Sequence, residues 1–389
     1  MMQNFTHHIP TKVYFGKGQI AALSEELKKR AKKILIITGG GSVKKHGIFD
    51  DVISQVKKAG VSSIELSGIK PNPRLKSVHQ GIEICKKESI DFILAVGGGS
   101  VIDCSKAIAV GTKYNGDVWD FFVKDIPCKD ALPIGCVLTL AATGSEMNEH
   151  AVITKEDIQR KLAYSSPLLR PAFSILNPEY TYSVDKYHTA AGVADIMTHI
   201  FEQYFSQATA AYVQDRMAEG LLKTCIKYGP IVCKEPHNYE ARANILWTGS
   251  LALNDLTGEG KDHDWGCHAI EHELSAVYDI SHGIGLAIIV PNWMKYVLSN
   301  KTVGKFFEYG INVWGIEKNK DKIDIAKEAI DKTRQFFTSL GLPSRLNEVN
   351  ISEEKFEDMA KNAMKDWGKI GSFKELSENN IVEILKSSL

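Results

Sequence analysis

Cysteine is sparse and follows no pattern. The 389-residue chain has seven, at positions 85, 104, 128, 136, 225, 233 and 267, an odd number with no C-x-x-C pair. That argues against a disulfide framework or a cysteine-rich zinc site and leads us to expect a reducing, cytoplasmic setting. An excess of either charge is also lacking: 47 Lys+Arg balance 47 Asp+Glu. Nothing supplies the basic field that nucleic acid or an anionic membrane surface would require. No apolar run reaches the roughly 18 residues of a membrane helix. The opening MMQNFTHHIP has no basic flank leading into an apolar stretch, so a secretory signal is not expected. The expected partner is therefore a small molecule, not a nucleic acid or a membrane.

What is present is ordinary globular composition, 44% apolar and 24% charged, in a length that suits two or perhaps three domains. The first half alternates strand and helix. Short apolar runs at Lys33–Thr38, Asp91–Val96 and Pro133–Leu140 each end in a turn of small residues: Gly39-Gly40-Gly41-Ser42, Gly97-Gly98-Gly99-Ser100 and Ala141-Ala142-Thr143-Gly144-Ser145. Helical periodicity separates them, with a further strand at Val61–Leu66 and a helix from about Leu75 to Lys87. This pattern predicts a parallel sheet covered on both faces, with ligands beyond the carboxyl ends of its strands. From about residue 185 helical periodicity takes over, with a stripe at Val193, Met197, Ile200 and Tyr204 and a helix near Ile323–Phe337. The change falls near Asn177–Asp185, giving an α/β domain over 1–184 and a helical domain over 185–389.

A glycine-rich turn opening a helix presents N–H groups and the positive end of the helix dipole, both suited to phosphate. The turn at 97–100 follows a strand and enters a helix, although it matches neither G-x-G-x-x-G nor the Walker pattern. A tight turn explains one such segment as well as a phosphate cradle does; three at three strand ends favour a dinucleotide. The turn at 39–42 carries no carboxylate to meet a ribose 2′-hydroxyl, and Lys44 and Lys45 follow it, which favours NADP(H) over NAD(H). The same lysines would also serve as a solvated helix start.

Of twelve histidines, four stand out together with one aspartate. Asp195 and His199 are four apart, as are His268 and His272, so each pair shares a helix face. His282 follows on the turn Asp279-Ile280-Ser281-His282-Gly283. Imidazole with carboxylate suits Zn2+ or Fe2+ better than Mg2+ or Ca2+. A competing reading exists: His268-x-x-Glu271-His272 matches the H-x-x-E-H motif of a zinc metallopeptidase, with both histidines as ligands and Glu271 as general base. That reading leaves the three glycine turns without a role.

Taken in order, the segments resemble the iron-containing (group III) alcohol dehydrogenases, in particular their NADPH-dependent butanol dehydrogenase and aldehyde reductase branch. The resemblance runs nearly end to end. It rests on TKVYFGKG at 11–18, GGGS at 39–42, PNP at 71–73, GGGSVIDCSK at 97–106, TLAATGSEMN at 139–148, LNPEYTYS at 176–183, GVADIMTHIFEQY at 192–204 and HAIEHELSAVYDISHGIGLAIIVP at 268–291. It implies the dehydroquinate synthase-like fold, an α/β dinucleotide-binding domain followed by an all-α domain with the active site in the cleft between. It implies one divalent ion, Fe2+ or Zn2+, on Asp195, His199, His268 and His282, with His272 a non-ligand that begins the proton relay. The nucleotide would lie along Gly39, Gly40, Gly41, Ser42, Gly97, Gly98, Gly99, Ser100, Asp103, Thr139, Leu140, Thr143, Ser145, Lys161 and Tyr182. The implied reaction interconverts short- to medium-chain primary alcohols and aldehydes, in a homodimer. Glu271 has no assigned step under this reading, so its amide is expected to work normally. A sugar-phosphate cyclase on the same scaffold would need a Lys/Arg cluster around the metal motifs, and the sequence has none there.

Overall fold

The computed structural model describes residues 2–208 and 210–389, and the chain forms two compact units. One comprises His8–Asp185 together with Pro236–Ser250; the other comprises the residues up to His7, Lys186–Glu235 and Leu251–Leu389. The boundary read from the sequence would put 236–250 with the helical part. Those residues join the α/β unit instead: Leu246 lies in its core, and the Trp247 ring meets Phe15 edge-on at 5.8 Å.

The α/β unit holds eight strands: β1 (Lys12–Phe15), β2 (Lys33–Thr38), β3 (Ser62–Leu66), β4 (Phe92–Gly97), β5 (Ile134–Leu138), β6 (His150–Lys155), β7 (Arg160–Ser165) and β8 (Phe173–Leu176). Six make one sheet in the order β1-β8-β5-β4-β2-β3, with every neighbouring pair parallel. β4 and β5 are buried along their whole length and β2 nearly so, which is why they read as continuous apolar runs rather than alternations. The helices Ile48–Ala59 and Leu75–Glu88 carry the chain from β2 to β3 and then to β4, on the other side of β2. Strand order therefore reverses at β2, and the turns that follow β2 and β4 sit at a topological switch point. The strand–helix alternation breaks after β5, where β6 and β7 form a separate antiparallel hairpin.

In the helical unit three helices are central: Lys186–Tyr204, Gly266–Tyr278 and His282–Val297. The first is buried at every position from Thr189 to Tyr204. The stripe read from its sequence is therefore part of a helix enclosed on all sides, and polar residues on it are inside the protein. No helix among the described residues is long and apolar enough to cross a membrane.

Candidate metal centre and nucleotide turns

The three central helices bring four side chains together within the helical unit. Asp195 and His199 come from one turn of Lys186–Tyr204, and His268 from the first turn of Gly266–Tyr278. His282, expected on a turn, is the first residue of His282–Val297. Gly283 lets that helix start lie against the first helix, since a Cβ there would stand 2.1 Å from the Ala191 carbonyl oxygen.

The Oδ1 of Asp195 lies 3.6 Å from His199 Nε2, 3.8 Å from His268 Nε2 and 3.6 Å from His282 Nε2. These separations exceed a hydrogen bond. They are close to the roughly 3.4 Å edge of a tetrahedron whose vertices stand about 2.1 Å from a central ion. Asp195 Oδ1 and His268 Nε2 are both buried and have no hydrogen-bond partner. Leaving two such atoms unsatisfied is costly unless a cation completes them, so the donor set fits a divalent metal. Three of the four side chains are 3–6% exposed, and His282 is the most exposed at 21%. Burial alone would raise the Asp195 pKa. The surrounding histidines outweigh it and hold that carboxyl well below the usual carboxylate range.

Behind two of these imidazoles stand two fully buried carboxylates. His268 Nδ1 donates to Glu202 Oε2, and the other Glu202 oxygen accepts the backbone N–H groups of Cys267, at 2.6 Å, and His268, at 3.2 Å. His282 Nδ1 donates to Glu271 Oε2, and Ser275 Oγ donates to Glu271 Oε1. An ionised carboxylate only accepts, so each Nδ1 carries the proton and each Nε2 lone pair faces the cage. Burial lowers the pKa of His268, but Glu202 and Asp195 outweigh it and raise it to about 10. A proton is thus the competitor that an incoming ion must displace. The sequence reading passed over Glu202, although its position seven residues after Asp195, two turns along the same face, was a signal for it.

His272 is buried beside the cage, its ring 5.6 Å from that of His282 and 5.7 Å from Trp367. Glu271, His272 and His282 also offer three atoms within 4.8 Å of one another, as do Asp195, His268 and His282. The second grouping is the better cation site, because both Glu271 oxygens already accept hydrogen bonds. The peptidase alternative loses its base for the same reason. Glu271 is sealed from solvent between His282, Ser275 and Gly285, where it cannot activate a water.

In the α/β unit the small-residue turns are packed on one another. A Cβ on Gly97 would fall 2.6 Å from Val101, on Gly98 3.2 Å from Leu140, and on Gly99 2.4 Å from Thr143 Oγ1. The Thr139 N–H donates to the Gly97 carbonyl at 3.1 Å. Gly39 reaches the same place, its Cβ position 3.6 Å from Val101. Gly41 has φ +106°, a conformation that favours glycine, and leads into Ser42. Gly99 opens the 14-residue helix Gly99–Thr112 with no side-chain cap, so its first N–H groups and dipole suit a phosphate.

Asp103 and Ser145 hold this assembly together from behind. Ser145 Oγ donates to Asp103 Oδ1 at 2.6 Å and the Val152 N–H to Oδ2 at 3.1 Å. Lys161, on β7, adds favourable charge to the buried Asp103. Sequence reasoning missed Lys106, which is wholly buried and donates to Asn148 O, Asn148 Oδ1 and His150 O at 2.8–3.0 Å. Tyr182 packs on His237, ring centroids 5.0 Å apart, and no contact described here ties it to the glycine turns.

Comparison with known proteins gives concordant matches. The family model for iron-containing alcohol dehydrogenase matches residues 10–178, and that for the C-terminal part of the same family matches 189–389. The NADH-dependent butanol dehydrogenase A of Clostridium acetobutylicum is 52% identical over 388 residues, covering 100% of both chains. The NADPH-dependent aldehyde reductase YqhD of Escherichia coli is 42% identical over 357 residues, 90% of each. Among solved structures, NADH-dependent butanol dehydrogenase A from Thermotoga maritima superposes with a TM-score of 0.96 at 40% identity, covering 100% of this chain and 99% of the other.

Proposed function

Because the chain belongs to the iron-containing alcohol dehydrogenase family, we propose that it interconverts butanol-sized primary alcohols and their aldehydes, with one divalent ion on Asp195, His199, His268 and His282 and with NADP(H) as the preferred nucleotide. The observation that carries this reading is the buried, unpartnered Asp195 Oδ1 facing three imidazole Nε2 atoms. When bound, the ion supplies a Lewis acid and the reduced nicotinamide supplies hydride. Three neutral imidazoles and one carboxylate accept either Fe2+ or Zn2+.

The chain's own residues do the rest. The helix start at Gly99 and the packed turns at 39–42 and 97–100 offer backbone N–H groups to the phosphates. Glycine at 97, 98 and 99 lets Val101, Leu140 and Thr143 pack closely against this turn. His272, buried beside the cage, hands a proton to the product oxygen in reduction and takes one from the alcohol in oxidation. Its neighbour Trp367 adds an apolar wall suited to an alkyl chain.

Preference for NADP(H) rests on the carboxylate-free turn at 39–42 and on Lys44 and Lys45. Glu65 moderates it. Its carboxylate accepts from Thr38 Oγ1 at 3.0 Å and from Lys44 Nζ at 2.9 Å, which offsets part of the lysine charge. A preference of about tenfold, or roughly 1.4 kcal/mol, is the expected size. The relatives differ on this point, one being named for NADH and another for NADPH. The test is absorbance at 340 nm with butanal and each reduced nucleotide, using protein loaded anaerobically with Fe2+ or Zn2+. Oxidation of NADPH, faster than that of NADH, is expected; no oxidation of either would refute the proposal.

A further inference from the structure

Glu271 has no step in the alcohol dehydrogenase reading, yet the neighbouring helix leaves room for it. Its carboxylate is completely buried, and both oxygens are engaged, one by Ser275 Oγ and one by His282 Nδ1. Room for it comes from a residue on the next helix. A Cβ on Gly285 would stand 2.7 Å from Glu271 Cγ and 2.9 Å from Oε1, closer than packing allows. His282 is the most exposed of the four convergent side chains and opens its helix. Glu202, behind His268, has a second occupation as acceptor of the backbone N–H groups that begin the Gly266–Tyr278 helix.

We propose that Glu271 is a positioning residue for the metal centre: it fixes His282 as the Nδ1–H tautomer with Nε2 turned to the ion, and Gly285 provides the space that lets it do so. The inference rests on the metal assignment proposed above. A carboxylate on the far nitrogen of a ligating imidazole fixes its orientation and makes it a better donor. It also adds a third buried negative charge, with Asp195 and Glu202, around a dication.

The test compares the wild type with Glu271→Gln, Glu271→Ala and Gly285→Ala. Two readings are taken on each: the dissociation constant for Zn2+, by chelator competition, and the melting temperature of the chelator-stripped chain. Second-sphere losses of this kind typically weaken metal binding by 10- to 100-fold. We expect about 10-fold for Gln, which can still accept a hydrogen bond, and more for Ala. Gly285→Ala touches no ligand, but its Cβ must displace Glu271, so it too should weaken Zn2+ binding. The stripped variants should melt within a few degrees of the stripped wild type. Unchanged Zn2+ affinity in the Glu271 variants, with only the stripped melting temperature lowered, would overturn the proposal by reducing Glu271 to a structural role. Asp195→Ala separates this from failure of the site itself. If Asp195→Ala loses Zn2+ while the Glu271 variants keep full affinity, only the inference falls; if Asp195→Ala also keeps Zn2+, the metal assignment falls with it.

Discussion

His282 Nε2 and Asp195 Oδ1 lie 3.6 Å apart, beyond hydrogen-bond reach and close to the spacing of two ligands on one ion. The two residues are 87 positions apart in the chain, and two glycines, at 283 and 285, shape the start of the helix that brings them together. Under the proposed metal centre, residues that would hold the ion are distinct from residues that would act beside it, and that division can be tested by substitution.

His272 lies on the second side of that division. Replacing it with Ala should leave metal content near one ion per chain and lower kcat by about 10- to 10⁴-fold, the range for a lost acid–base group. The pH dependence of kcat should change with it. If His272→Ala sheds the metal, then Glu271, His272 and His282 form the true cation site.

Nucleotide choice can be probed at Gly40. A Cβ there meets nothing within 4 Å, so Gly40→Asp adds a charge without a clash. The charge would oppose a 2′-phosphate. The kcat/KM for NADPH should fall ten- to a hundredfold while that for NADH changes little. An equal loss for both would place the adenosine ribose elsewhere.

Acid stability has a local source at Glu26. Tyr14 Oη at 2.5 Å, Arg30 Nε at 2.8 Å and Lys12 Nζ at 3.2 Å all donate to this buried carboxylate. Burial pushes its pKa up, but these donors outweigh it and bring it down to about 2, from 4.5. A depressed carboxylate pKa stabilises the fold above the unfolded value and loses that contribution as pH falls through the folded one. After allowing for the solvent-exposed lysine and arginine, the contribution is about 1–2 kcal/mol at neutral pH. Glu26→Gln should therefore unfold more easily than the wild type at pH 7, and the two should converge between pH 4.5 and 2 in urea titrations. A gap that stays constant with pH would show that the charge is not the cause.

Much of this was legible in the sequence for definite reasons. Fully buried parallel strands leave apolar runs with glycine stops, and β2, β4 and β5 were read that way. Spacing of four residues put Asp195 with His199, because a helix repeats near that period. Other features left no such trace. The β6–β7 hairpin has mixed, half-buried strands and no Asn-Gly turn. Glu202 and Glu271 look like surface glutamates until helices enclosed on every side put them inside. Lys106 lies in a helix with few polar residues, and its three acceptors lie 42 to 44 residues away. The role of Gly285 depends on contact with another helix, which one sequence does not record.

The central claim, that Asp195, His199, His268 and His282 hold one divalent ion, is tested most directly by metal analysis of the purified wild type beside His199→Ala, each checked for native helix content by circular dichroism. The account predicts one Fe2+ or Zn2+ per chain in the wild type and close to none in the variant, with the same helical spectrum. Full metal content in a folded His199→Ala chain would contradict it.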